Sequence, residues 1–372
     1  MNPLLQLKKA GQSVWLDSIS RSLNRSGTLD RLIAEDGISG LTSNPTIFEG
    51  AISKGTDYDD FLRSRRQGSP EEVFEDLAVA DIREAAERLL PVYDDTQGAD
   101  GFVSIEVSPR LAYDAGKTVE EAKRLFQKVG KPNTMIKVPA TKEGLPAISR
   151  LLADGVSVNA TLLFSVSRYE AVLDTFLTAL EDRVRRGAGL SHVASVASFF
   201  VSRVDTSVDK LLEEKAARTD SRKAKESLRS LMGKAAVANA VLAYRRFREV
   251  AGSKRFKALA RKGAKVQRLL FASTGTKNPA YSDILYMTEL VGPDTVNTAP
   301  METLDAFRGH GKVRPSLAEL SAKAKPTLDD IAAHGVDLDA VMRRLEDEGV
   351  KKFIESYEKL LKVIEGKRTV LA

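Results

Sequence analysis

Eight short apolar runs, most of them separated by stretches with helical periodicity, constrain this sequence more than any other feature. They lie at Val14 to Asp17, Gly37 to Thr42, Phe102 to Val107, Thr134 to Val138, Val156 to Leu162, Val193 to Phe200, Val266 to Ser273 and Asp294 to Thr298. Each is short enough for a strand and too apolar for a solvated face, as expected of a parallel sheet covered on both sides. Eight strands alternating with helices predict an α/β fold, a single (β/α)8 TIM barrel. With 372 residues and 42% hydrophobic content, the chain can bury such a core and still carry additions.

The helices between these runs carry their own signals. Thr118-Val119-Glu120-Glu121 reads as a capping box, followed by Val119, Ala122, Leu125, Phe126 and Val129 at helical spacing. Ser167-Arg168-Tyr169-Glu170 reads as a second, ahead of Val172, Phe176 and Leu180. Phe74, Leu77, Ala78, Ile82, Ala85, Ala86 and Leu89 outline a third amphipathic helix. No linker or internal repeat divides the chain, so residues 1–372 read as one domain. It comprises an N-terminal helical stretch (1–13), a charged helical insertion between strands six and seven (209–262) and C-terminal helices (302–372). In the last, Val341, Leu345, Val350, Phe353, Ile354, Tyr357, Leu360 and Leu361 repeat at helical spacing.

Composition removes whole classes of chemistry. There is no cysteine, so disulfides, thiolate catalysis and thiolate-bound metals are excluded. His192, His310 and His334 stand at no metal-ligand spacing, and no metal site is expected. The 57 Lys and Arg against 51 Asp and Glu leave +6, but the charges are interspersed and lack interleaved aromatics. A basic surplus could serve nucleic acid, and a modest positive field would equally suit a small anionic substrate; composition alone does not separate the two. The basic run from Arg218 to Arg229 reads as a solvated helix or turn. Met1 to Lys9 contains no long apolar region, and no later segment is apolar enough to span a bilayer. A soluble, cytoplasmic protein is expected.

In a barrel, reactive groups project from the C-terminal ends of the strands. Lys137 stands inside the apolar run Thr134-Met135-Ile136-Lys137-Val138-Pro139-Ala140. An ammonium dehydrated by such neighbours tends toward the free amine, the nucleophile that condenses with a ketone to an imine; the plainer alternative is a lysine snorkelling to water from a strand end. Asp17 ends the first strand, and Glu106 lies within Phe102-Val103-Ser104-Ile105-Glu106-Val107. The two-residue period of the fifth strand puts Ser157, Asn159 and Thr161 on one face. The sixth delivers Ser195 and Ser198 with Arg203 behind them, and the seventh ends in Ser273 followed by Thr274-Gly275-Thr276-Lys277. Each charge alone could be a hydrogen-bonded structural group. Acids, a lysine and hydroxyls converging from separate strands fit carbon–carbon bond exchange through an imine, with Arg203 and Lys277 placed to hold a phosphate.

Two other motifs are decoys. Ala115-Gly116-Lys117-Thr118 ends like a P-loop, but Leu111 stands where that motif needs glycine, and a turn capped by Thr118 is the better reading. Asn159-Ala160-Thr161 is formally a glycosylation sequon, yet it sits in a predicted strand.

Five segments together resemble the transaldolase family. They are Gly40-Leu41-Thr42-Ser43-Asn44-Pro45-Thr46-Ile47-Phe48, Met135 to Thr141, Val158 to Ser165, Ser198 to Asp205, and Ala272 to Pro279, in family order. The long form with helical insertions resembles a bacterial branch. The resemblance implies Lys137 as the imine-forming lysine, Asp17 and Glu106 in proton transfer, and Thr161 positioning a catalytic water beside Glu106. It implies Asn44 and Asn159 on the sugar hydroxyls, Ser198 lining the pocket, and Arg203 and Ser273 on the phosphate. The implied reaction moves a dihydroxyacetone unit from sedoheptulose 7-phosphate to glyceraldehyde 3-phosphate, giving erythrose 4-phosphate and fructose 6-phosphate in the non-oxidative pentose phosphate pathway. It implies small sugar phosphates as the partners, no nucleic acid, no membrane, a monomer or homodimer, and neither metal nor organic cofactor. Where shorter members carry arginine two residues after the strand-seven serine, this chain has Gly275; Lys277 offers a point charge but not a planar fork. Related aldolases that release free dihydroxyacetone tend to have tyrosine where Phe200 stands, so transfer is the expected activity. The remaining alternatives are a catalytically silent barrel used for binding and, more remotely, a nucleic-acid binder.

Overall fold

Eight parallel strands close into a barrel in sequence order. The computed structural model describes residues 2–65 and 67–371. The strands are β1 (Gln12–Leu16), β2 (Gly40–Leu41), β3 (Phe102–Glu106), β4 (Thr134–Pro139), β5 (Val158–Leu163), β6 (Ser195–Phe200), β7 (Arg268–Ala272) and β8 (Thr295–Ala299). All eight expected runs are strands, with shifted ends. The largest shift is in β2, because Gly37 takes a left-handed φ of 69° as the cap of the preceding helical turn and cannot also extend a strand. Asp17 lies one residue past β1, and its amide still bonds to the carbonyl of Ala299 at 2.9 Å.

Two expected helix starts are corrected. The helix Ala115–Val129 is capped by Asp114, whose carboxylate accepts from the Lys117 amide at 3.0 Å. Thr118 lies inside the first turn with its hydroxyl on the Leu111 carbonyl, and Glu121 accepts from the Ser108 amide instead of closing a box. Likewise Ser165, not Ser167, caps the helix Val166–Arg185 by accepting from the Arg168 amide. In both cases an acceptor with extended backbone stood slightly upstream, which is the conformation a cap requires. The reciprocal box occurs at Ser69 and Glu72, opening the helix Pro70–Asp95 that carries Leu77, Ile82 and Leu89 inward.

Between β6 and β7 run four helices, Ser202–Ala217, Arg222–Ser230, Ala235–Ala251 and Lys254–Ala260, so helix begins directly after β6 rather than at Asp209. Arg222 in this region is exposed, as a solvated helix requires. After β8 come Met301–His310, Ser316–Glu319, Ser321–Ala333 and the C-terminal helix Leu338–Leu371. Helix Pro3–Lys9 precedes β1. Met1 and Ala372, the outer ends of the expected terminal stretches, lie outside the described residues. Among the described residues no helix is long and apolar enough to cross a membrane.

The N-terminal end of the barrel is closed by a paired polar cluster. Asp100 receives Trp15 Nε1 at 2.8 Å, Arg268 at 3.1 Å and the Ser13 hydroxyl, and Arg268 also packs over the Trp15 ring. Gly40 is required beside it, since a Cβ there would fall 2.4 Å from the indole. The charges of Asp100 and Arg268 are thus paired with one another, as a structural role demands.

Candidate active site

The opposite end of the barrel holds a buried lysine close to a buried carboxyl. Regular pairing sets Glu106 of β3 against Lys137 of β4, and Lys137 against Asn159 of β5, so three polar side chains enter the mouth at one level. Lys137 is 4% exposed; the strand does not let it snorkel. Its Nζ donates to the Ser43 carbonyl at 3.1 Å and lies 3.6 Å from Glu106 Oε2. Both Glu106 oxygens and the Thr161 hydroxyl are buried without a hydrogen-bond partner among the described residues.

Thr161 keeps the face of Asn159, because pairing with β4 is regular from Val158 to Thr161. Immediately afterwards the register against β6 shifts between Ala160 and Leu163, with Leu162 at φ 61°. Asn159 is clamped: its amide donates to Ser104 Oγ at 3.1 Å, and its Oδ1 accepts from Ser198 at 2.6 Å. Ser198 therefore orients Asn159 as well as lining the mouth.

Asp17 completes the set from the far side of the barrel. Its Oδ1 accepts from Thr42 at 2.6 Å, and Thr42 also meets Thr298 at 2.8 Å. Burial raises the Asp17 carboxyl above its ordinary range, against the positive charges of Lys137, Lys277 and Arg203. Burial likewise pushes Glu106 up to about 7, with the charge of Lys137 opposing. Two carboxyls and one amine share one mouth, and Glu106 sits near the protonation midpoint that proton exchange at neutral pH favours.

The remaining expected residues flank this centre. Asn44 caps helix Pro45–Lys54, its Oδ1 taken by the Ile47 amide at 3.0 Å, leaving its NH2 as the group a ligand could meet. Arg203, in the first turn after β6, packs its guanidinium over the Phe200 ring at 5.3 Å. Burial lowers its pKa, opposed by Glu348 and Asp17. Ser273 follows β7 at φ 56° and shares a 2.9 Å hydrogen bond with Ser202. Lys277 is exposed and lines a cavity of about 280 Å³ with Ser202 and Tyr281. Ser195, by contrast, is spent on the Val158 carbonyl and on Gln267. A larger cavity of about 830 Å³ reaches Ser43, Asn44 and Glu106 and extends outward between helices Pro70–Asp95 and Ala115–Val129. Among the described residues no group of three His, Asp or Glu could hold a metal ion.

Sequence reasoning did not single out Ser43 as the carbonyl anchoring Lys137, though it lies in a quoted motif. It also missed Phe353, whose ring centroid is 5.5 Å from Lys137 Nζ. In the sequence Phe353 was one of eight helix-spaced apolar residues, with nothing to distinguish it from core.

Comparison with known proteins places the chain in a family. The chain is 51% identical over 363 residues to a transaldolase of Thermobifida fusca, covering 97% of this chain and 96% of that protein. It is 49% identical over 361 residues to a transaldolase of Saccharopolyspora erythraea (96% and 95% covered) and 48% identical over 369 residues to one of Mycolicibacterium smegmatis (98% and 97%). The profile describing the Transaldolase/Fructose-6-phosphate aldolase family matches residues 14–364, and the chain belongs to that family.

Proposed function

We propose that this chain is a transaldolase in which Lys137 carries a dihydroxyacetone unit as an imine between two sugar phosphates. The observation that carries the reading is the meeting of Lys137, Glu106 and Asp17 in one barrel mouth, with neither Glu106 oxygen hydrogen-bonded among the described residues. Lys137 Nζ attacks the ketone carbon of sedoheptulose 7-phosphate, and Glu106 passes the proton that lets the carbinolamine lose water. Asp17 takes the proton of the hydroxyl on the carbon beyond the scissile bond. That bond breaks, erythrose 4-phosphate leaves with the new aldehyde, and the electron pair rests in the enamine. Addition to glyceraldehyde 3-phosphate reverses these steps, and water handled by Glu106 and Thr161 frees fructose 6-phosphate.

Asn44 and Asn159 hold the sugar hydroxyls in this reading, and Ser198 keeps Asn159 oriented. Arg203, Ser273 and Lys277 take the phosphate, with Arg203 supplying the only guanidinium among the three. We read the chain as one barrel domain, acting in the cytoplasm on small sugar phosphates as a monomer or homodimer and not on nucleic acid. Release of free dihydroxyacetone is disfavoured by Phe200, which presents no hydroxyl at the mouth.

Borohydride reduction with fructose 6-phosphate tests the reading. Permanent mass is expected on Lys137 alone; no adduct, or an adduct on another lysine, would refute it. Product analysis with and without an acceptor aldehyde then separates transfer from release.

A further inference from the structure

The C-terminal helix Leu338–Leu371 does not sit with the outer ring. It lies across the barrel mouth, where Gly349 brings its backbone against β5: a Cβ there would stand 3.1 Å from Leu162 and 3.5 Å from Phe164. One turn further on, Phe353 is 4% exposed and presents its ring to Lys137 Nζ at 5.5 Å. The next inward residue, Tyr357, lines the larger cavity that reaches Glu106. On the other side of Gly349, Glu348 acts electrostatically on Arg203, so one helix addresses both the imine nitrogen and the phosphate end.

The helix is held in place along its length. Arg168 grips Glu346 through two 3.1 Å contacts, Arg110 pairs with Glu358 at 2.6 Å, Lys359 with Glu49 at 3.0 Å and Lys367 with Asp59 at 2.9 Å. Thr46 meets Ser356 at 2.9 Å. Surface pairs such as these, some of them half-buried, contribute little individually. Anchors on four separate elements nevertheless fix the position of a helix whose Leu360, Leu361 and Ile364 are also buried.

We propose that Phe353 is a specificity-determining residue: by keeping water from the enamine on Lys137, it acts alongside Phe200 to favour transfer of the three-carbon unit over its release. The proposal rests on the imine reading above. An enamine has two fates. It can attack an aldehyde, or it can take a proton on carbon to give an iminium, to which water adds before the carbon–nitrogen bond breaks and dihydroxyacetone leaves with the amine restored. The second fate needs an additional proton donor beside the reacting carbon. A buried ring next to the nitrogen occupies volume that water would otherwise share, and it stabilises the cationic iminium through its face without donating a proton.

The test compares Phe353→Ala and Phe353→Gln with the parent enzyme, using fructose 6-phosphate with and without acceptor aldehyde. Both variants should still be trapped on Lys137 by borohydride. Their ratio of dihydroxyacetone released to dihydroxyacetone transferred should rise roughly tenfold or more, and Phe353→Leu should restore most of the parent ratio. Thermal melting identifies any variant that fails to fold; the glutamine variant, nearer phenylalanine in size, carries the test if the alanine variant does. An unchanged ratio in a folded variant still trapped at Lys137 overturns the proposal and leaves the imine reading intact. Failure of the parent itself to be trapped overturns both.

Discussion

Lys137 Nζ stands 3.6 Å from Glu106 Oε2, within ion-pair range but beyond a hydrogen bond, because the two residues are direct partners on adjacent parallel strands. Neighbouring strands lie about 4.8 Å apart, so inward side chains at one level meet without bending either backbone. The separation leaves the amine hydrogen-bonded to a single carbonyl and the carboxyl without a hydrogen bond among the described residues, which keeps both available to a ligand. At the other end of the barrel, Asp100 ahead of β3 gathers Trp15 of β1 and Arg268 of β7 into a paired cluster.

Replacing the proposed nucleophile tests the centre directly. Lys137→Met preserves most of the buried volume and should reduce turnover by at least about a thousandfold, with no borohydride adduct and an unchanged circular-dichroism spectrum. Turnover near that of the parent would exclude the mechanism.

Glu106 predicts a pH profile. Its folded pKa, raised to about 7 by burial, means that the carboxylate form disappears as pH falls through that value. The rate kcat/KM should therefore drop on the acidic side of about 7, if Glu106 must accept a proton in the free enzyme. Glu106→Gln should remove that limb and slow turnover by roughly a hundredfold or more while permitting imine trapping. A retained limb would assign it to another group.

Asp205 predicts a stability profile away from the chemistry. It is buried, accepts from the Tyr286 hydroxyl at 2.8 Å and the Ala236 amide at 2.7 Å, and burial pushes its carboxyl up to about 6. A carboxyl whose folded pKa exceeds its unfolded value of 3.8 makes the native state bind more protons between the two. Its contribution to stability is thus greatest below about 3.8 and is lost as pH rises through about 6. Asp205→Asn, which keeps an acceptor for Ala236, should gain melting temperature relative to the parent between pH 4 and pH 7. A difference in melting temperature independent of pH would contradict this.

The proposed phosphate contacts predict unequal losses. Arg203→Lys keeps the charge but loses the planar fork and its stacking on Phe200, and should raise KM for sugar phosphates roughly tenfold with a smaller change in kcat. Lys277→Ala should cost less, since exposed charges are screened. Steady-state kinetics against phosphorylated and unphosphorylated acceptors would check both; equal losses on the two acceptors would place these residues elsewhere.

Much of the site was legible because strand alternation is a local rule. Glu106, Lys137, Asn159 and Thr161 each stand at a position whose face is set by its own neighbours, and the closed barrel brings those faces together. The caps were misread for the complementary reason. Asp114 and Ser165 outcompete Thr118 and Ser167 through backbone conformation, which residue spacing does not encode. Asn44 illustrates a mixed case, since its side chain serves helix Pro45–Lys54 with one atom and faces the cavity region with the rest.

The order of apolar runs and helix periods in the chain determined an eight-stranded barrel and which polar residues would point into it, since hydrophobic burial acts on patterns only a few residues long. Tertiary structure alone decided that the Ser43 carbonyl anchors the lysine, and that the C-terminal helix lays Phe353 beside it. Such contacts join segments far apart in sequence, and their geometry follows from how whole elements pack, a property no local window contains.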